Sequence, residues 1–121
     1  MSDVDLEREL RTAEELELLT TGRHSGRPHA VRVWFAYEDG AIWLRTDRAA
    51  DWLRNLERDA RCRIRVAGVE CAAKRVAVED EGAALRRLVD LWRAKYGPEW
   101  VADWYVERGR VPVRLVLDPE G

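Results

Sequence analysis

The tight turn at Asp39-Gly40, set between two alternating runs, restricts the fold more than any other feature. Val31, Val33, Phe35 and Tyr37 recur at every second residue before it, and Ile42 and Leu44 resume the pattern after it. A period of two puts these side chains on one face of a hairpin, and Asp-Gly supplies the positive backbone angles that a two-residue turn needs. The other face carries Arg32, Trp34, Ala36, Trp43 and Arg45. A two-residue turn sets Trp43 opposite Ala36 and Arg45 opposite Trp34. One face is apolar and the other aromatic and cationic, which suits an interface or a flat ligand better than open water. With six tryptophans in 121 residues, the expectation is that a second subunit, rather than the chain's own helices, buries that second face.

The rest of the chain reads as strands with helices inserted. Leu6, Leu10 and Ala13 keep helical spacing behind a Ser2 cap, and Leu16, Leu18 and Thr20 alternate as a strand. Asp47 is positioned to cap a helix over 49–59 whose inner side holds Trp52, Leu53 and Leu56. Cys62, Ile64 and Val66 alternate with Arg61, Arg63 and Arg65, a strand with one buried and one solvated face. After the Ala67-Gly68 turn the alternation slips at Lys74-Arg75, which predicts a bulge or a barrel corner. Asp80 caps the longest helix, with Leu85, Leu88, Val89, Trp92 and Tyr96 along its inner stripe. Gly97-Pro98 ends it, Pro98 opens a short helix through Trp104-Tyr105, and Val111–Leu117 is a closing strand. About six short strands protect their edges best by closing, giving a mainly β, six-stranded small barrel with inserted helices as one domain over 1–121.

Composition narrows the function classes. With 21 Lys+Arg against 23 Asp+Glu, the net charge of −2 offers no field for nucleic acid. No apolar run reaches the roughly 20 residues of a membrane span, and the acidic Met1–Asp5 start lacks a secretory h-region, so the expected location is cytoplasmic. With a two-residue turn at Ala67-Gly68, Cys71 faces Ile64 and is only diagonal to Cys62. That separation of about 7–8 Å is too long for a disulfide, so both thiols are expected free. Neither cysteine has metal-site spacing.

Two segments carry candidate chemistry. In the loop 22–28, Arg23 and Arg27 are charge-assisted donors, Ser25 adds a hydroxyl, and Gly26 lets backbone N–H groups approach an oxyanion. A solvated polar hairpin is the plainer reading of the same residues. In the second segment a strand end meets a helix start between Thr46 and Asn55, a recurrent place for phosphate. There Trp52 is either a packing residue or a ligand contact. His24 and His29 have no partner at a motif distance that would make a catalytic dyad.

The run TTGRHSGRPHAVRVWFAYEDGAIWLRT, followed by DWLRNLERDARCRIRVAG, resembles the split-barrel flavin- and deazaflavin-binding family. That family includes pyridoxamine-phosphate-oxidase-like proteins and deazaflavin-dependent nitroreductase/quinone reductases. The likeness covers about Leu16–Val78 and the closing Val111–Val113 strand, and DWxxNL leans towards the deazaflavin branch. It implies that the barrel is a six-stranded split β-barrel, and that it works as a homodimer holding coenzyme F420 (a deazaflavin) or FMN between subunits, with a quinone-like or nitroaromatic small molecule as electron acceptor. Carried over residue by residue, Arg23, Ser25 and Arg27 hold the phosphate or anionic tail. Thr46 and Arg48 touch the cofactor before the helix, and Trp52 and Asn55 complete the pocket. The resemblance identifies no protonating residue; Tyr105 is a candidate only because its segment approaches the acceptor side in relatives. Two departures stand out. Arg32 replaces a usual proline, and Asp47–Ala50 is shorter than the usual loop. A non-catalytic split barrel that binds flavin, another flat anionic ligand or a protein partner is the alternative.

Overall fold

The computed structural model of the chain describes residues 3–100 and 110–118. Its strands are β1 (Glu15–Thr21), β2 (Pro28–Trp34), β3 (Ala36–Glu38), β4 (Ala41–Asp47), β5 (Arg61–Val66), β6 (Val69–Val76) and β7 (Arg110–Leu117). Three α-helices intervene, α1 (Asp3–Thr12), α2 (Asp51–Arg58) and α3 (Glu81–Tyr96), and a 3-10 turn covers Pro98–Trp100. The strands form one antiparallel sheet in the order β2-β1-β5-β6-β7-β4-β3. Its two edge strands are consecutive stretches of chain, separated only by Phe35. The sheet therefore curls until its edges meet through one run of backbone, which is a split β-barrel. The expected six strands become seven because the 28–38 run is broken in the middle.

That break has a specific cause. Phe35 is fully buried, so its backbone polar groups need partners once it leaves the ladder. The end of α3 supplies them. Phe35 N donates to Tyr96 Oη (3.2 Å), and Lys95 Nζ donates to the Phe35 carbonyl (3.0 Å). Tyr96 Oη also donates to the Glu14 carbonyl (2.5 Å), so one side chain ties three segments together. Burial pushes the Tyr96 hydroxyl up to about 12 and the Lys95 ammonium down to about 8.

Inside the barrel, Leu16 and Leu18 of β1, Ile42 and Leu44 of β4, Ile64 of β5, and Val113 and Leu115 of β7 form the core. Leu10 of α1 and Leu53 and Leu56 of α2 join it. The hairpin turns follow the sequence. Asp39-Gly40 and Ala67-Gly68 both have positive φ at both residues, the mirror-image turn whose twist matches paired strands. Register follows too, since Trp43 faces Ala36 and Cys71 faces Ile64. Neither Cys62 nor Cys71 is in a disulfide, and burial raises the Cys62 thiol to about 12. Asp80 caps α3 through its carboxylate, which accepts from Ala83 N (3.0 Å).

Three expectations are corrected and a fourth is made specific. The aromatic and cationic face is covered by α3, not left for a second subunit. Trp34 stacks on Tyr96 at 4.2 Å between ring centroids and meets Trp92 edge-on at 6.0 Å, while Trp43 packs in the same cluster. Arg45 faces Pro112 of β7 rather than Trp34, because the break at Phe35 sends β2 to the far edge. Asp47 does not cap the second helix. It ends β4 beside Arg110, and α2 starts at Asp51 after Ala50 with no side-chain cap. The slip at Lys74-Arg75, expected as a bulge or a barrel corner, is a corner. β6 runs through it and changes partner there, pairing with β5 up to Lys74 and with β7 from Ala73 onwards.

Candidate functional site

The loop between β1 and β2 folds back on itself. Gly22 N donates to the Arg27 carbonyl, Gly26 N to the Gly22 carbonyl, both at 2.8 Å, and Arg27 N to Ser25 Oγ (3.2 Å). Gly26 takes the positive φ of 72° that this tight loop requires. Gly22 is needed for a different reason. A Cβ there would lie 2.5 Å from His29 Nε2 and 2.7 Å from Ser25 Oγ, so the absent side chain makes room for both. The amides of Gly22, Gly26 and Arg27 are thereby spent inside the loop rather than left to approach an oxyanion.

Arg23 joins this loop to α2. Its backbone N–H and its Nη1 both donate to Asn55 Oδ1 (3.1 Å each). Nη1 also reaches the Asp51 carbonyl (3.4 Å), and Nη2 pairs with the Asp51 carboxylate at 3.2 Å. Asn55 in turn donates through Nδ2 to Thr20 Oγ1 (3.1 Å). Asn55 and Thr20 are the buried polar residues of the described chain, and each satisfies the other. With 22% of its side chain exposed, Arg23 is held by three bonds out of five N–H donors, leaving Nε and one hydrogen of Nη2 for another acceptor.

A cavity of about 380 Å³ opens where the two segments meet, lined by Gly22, Arg23, Ser25, His29, Trp52 and Asn55, with Asp51, His24, Ala30 and Val31 around them. Its volume falls within the range of small-molecule sites. An indole, a guanidinium with donors in reserve, and a Ser25 hydroxyl 3.3 Å from His29 Nε2 suit a flat ligand with an anionic group. On the other side of the loop lies a second hollow of about 620 Å³, lined by Arg58, Asp59 and Arg61 as well as Arg23. There Arg61 grips Asp59 through two nitrogens and holds its carboxyl below the usual range. A depression of about 540 Å³ along β1, β5 and β6 holds Arg63, whose charge is paired with Glu70.

The structure brings together four residues that the sequence singled out. Arg23, Ser25, Trp52 and Asn55 line the same cavity. Arg27 is exposed on the far limb of the loop and lines neither hollow. Thr46 sits in β4 opposite Val111, and Arg48 reaches Glu81 at the start of α3 (3.5 Å), so neither lines the cavity. Tyr105 lies outside the described residues. The sequence reading missed Asp51 and His29. Asp51 was detectable as an acid in the first turn of a helix, where it complements the dipole. His29 had a weaker signal, its place in register with Thr20.

Comparisons with known proteins agree with this architecture. A conserved hypothetical protein from Mycobacterium tuberculosis superposes with a TM-score of 0.75 at 28% identity, covering 98% of this chain and 82% of that one. A structure described as an F420 reductase gives 0.69 at 17% identity, with 93% of each chain covered. HutZ, the heme storage protein of Vibrio cholerae, gives 0.72 at 17%, over 98% of this chain and 90% of that one. At such identities the last two report the fold alone. No curated protein matches the chain. The F420H(2)-dependent quinone reductase family matches residues 1–118, and the chain belongs to that family.

Proposed function

We propose that this protein is an oxidoreductase that binds a deazaflavin, coenzyme F420, or else FMN, and passes reducing equivalents to a quinone-like or nitroaromatic acceptor. The observation that carries the reading is the convergence of Arg23, Trp52 and Asn55 on one cavity from two separate segments. The donor set fits such a cofactor. Arg23 takes the anionic group through its two remaining donors, Ser25 adds a hydroxyl, and Trp52 offers a ring for stacking. Asn55 acts through Arg23, because its amide oxygen accepts from both the backbone and the side chain of that residue. The bound cofactor supplies hydride chemistry, and the protein supplies orientation and neutralisation of charge. The working unit of this proposal is a homodimer whose second subunit closes the open side of the cavity.

The test is a titration of the purified protein with F420 and with FMN, followed by fluorescence and visible absorption. Arg23→Ala should weaken binding at least tenfold and leave the fold intact. Equal affinity in wild type and variant contradicts the reading. Binding that depends on Arg23 but supports no turnover with quinone or nitroaromatic acceptors favours the alternative, a non-catalytic split barrel.

A further inference from the structure

Asp51 is the one carboxylate lining the candidate cavity, and it faces the one arginine there. Apart from these two, the titratable groups in the wall are the imidazoles of His24 and His29. The fixed charges of Arg23 and Asp51 therefore cancel before any ligand arrives. Asp51 is 87% exposed and pairs with Arg23 Nη2. An anion on the remaining donors of the same guanidinium lies within a few ångströms of that carboxylate, at a range where repulsion survives physiological salt. We propose that Asp51 sets the charge class of the site, admitting a singly charged phosphodiester and disfavouring a doubly charged phosphate monoester. This rests on the placement of the cofactor anion at Arg23, and deepens it into a choice between the two cofactors. F420 carries its phosphate as a diester, whereas FMN ends in a monoester.

The repulsion scales with ligand charge, which makes the prediction quantitative. Removing the carboxylate should improve the affinity for a dianion by about the square of the improvement for a monoanion. The other nearby charges do not supply this discrimination. Arg27 lines neither hollow, Arg61 is paired with Asp59, and Arg58 lies across the loop.

The experiment compares binding of riboflavin, the monoanionic cyclic phosphodiester of riboflavin and FMN to wild type, Asp51→Asn and Arg23→Ala at pH 8 and fixed ionic strength, with F420 titrated alongside. In Asp51→Asn, affinity should rise about tenfold for FMN, about threefold for the cyclic diester, and stay unchanged for riboflavin. A thermal melt confirms that the exposed substitution leaves the fold intact. Equal changes for FMN and the cyclic diester, or none, overturn the role of Asp51 while Arg23-dependent binding upholds the cofactor site. If neither cofactor binds wild type, or if Arg23→Ala binds both as well as wild type, the site itself is wrong. Loss of FMN binding in Arg58→Ala, with Asp51→Asn silent, places the phosphate across the loop and also overturns the proposal.

Discussion

Two regions of this barrel carry aromatic and cationic side chains, and only one keeps space for a ligand. Where α3 lies on the sheet, Trp34 stacks on Tyr96, Trp92 meets both edge-on, and Lys95 sits 3.6 Å from the centroid of Phe35. Where α2 meets the 22–28 loop, Trp52 and Arg23 border a cavity. The difference lies in what the backbone needs. At Phe35 the broken ladder leaves buried polar groups that Tyr96 and Lys95 must satisfy, so the helix is drawn tight against the sheet. At the loop, Asn55 bonds Arg23 and Thr20, and this fixes the separation of two segments without closing the gap between them. Aromatic-cationic composition alone does not mark a binding site. A polar node that holds two segments apart does.

Substitutions in the two regions should separate stability from binding. Trp92→Ala removes a 3%-exposed indole from the packed region. It should cost about 3–5 kcal/mol in chemical denaturation while sparing cofactor affinity at a temperature where the variant is folded. Asn55→Ala leaves the Arg23 N–H and Thr20 hydroxyl short of partners. A loss of about 2–3 kcal/mol is expected, together with weakened cofactor binding, because Arg23 is released. If binding survives in that variant, Asn55 is not the node described here.

A pH series probes the packed region more gently. Burial lowers the Lys95 pKa from 10.5 to about 8, so between those values the unfolded chain binds a proton that the folded chain lacks. The cost of burying the charge is therefore fully present below pH 8, and the Lys95 contribution rises from there to pH 10.5. Wild type should gain stability relative to Lys95→Met across that window. A parallel pair of profiles would show that Lys95 is not buried as the structure has it. The smallest effect belongs to Arg48→Ala, whose exposed pair with Glu81 contributes less than about 0.5 kcal/mol. Cofactor affinity should not change in that variant. A tenfold loss would bring the strand-to-helix loop back into the site.

How much of this was legible in the sequence follows from how local each signal is. The turns at Asp39-Gly40 and Ala67-Gly68, the Ile64–Cys71 register and the Asp80 cap are set by residues within a few positions of one another. The break at Phe35 is not, since its cause is Tyr96 and Lys95 about 60 residues downstream. For the same reason the cover over Trp34 and Trp43 was assigned to a partner, because alternation shows that a face must be buried and not by what. Asp47 read as a cap because an aspartate shortly before a helical run is a cap signal. Arg110, its partner, comes from β7. At the candidate site, both segments stood out as polar, glycine-bearing or tryptophan-bearing stretches. Their meeting depends on Asn55, and the neutralising role of Asp51 depends on a contact across 28 positions.

Hydrogen–deuterium exchange with and without saturating F420 or FMN tests the central claim most directly, since it locates the ligand without any substitution. The account predicts added protection in 20–31 and 51–58, with 85–96 unchanged. Protection confined to 34–45 and 85–96 would put the ligand at the aromatic face under α3 and contradict it.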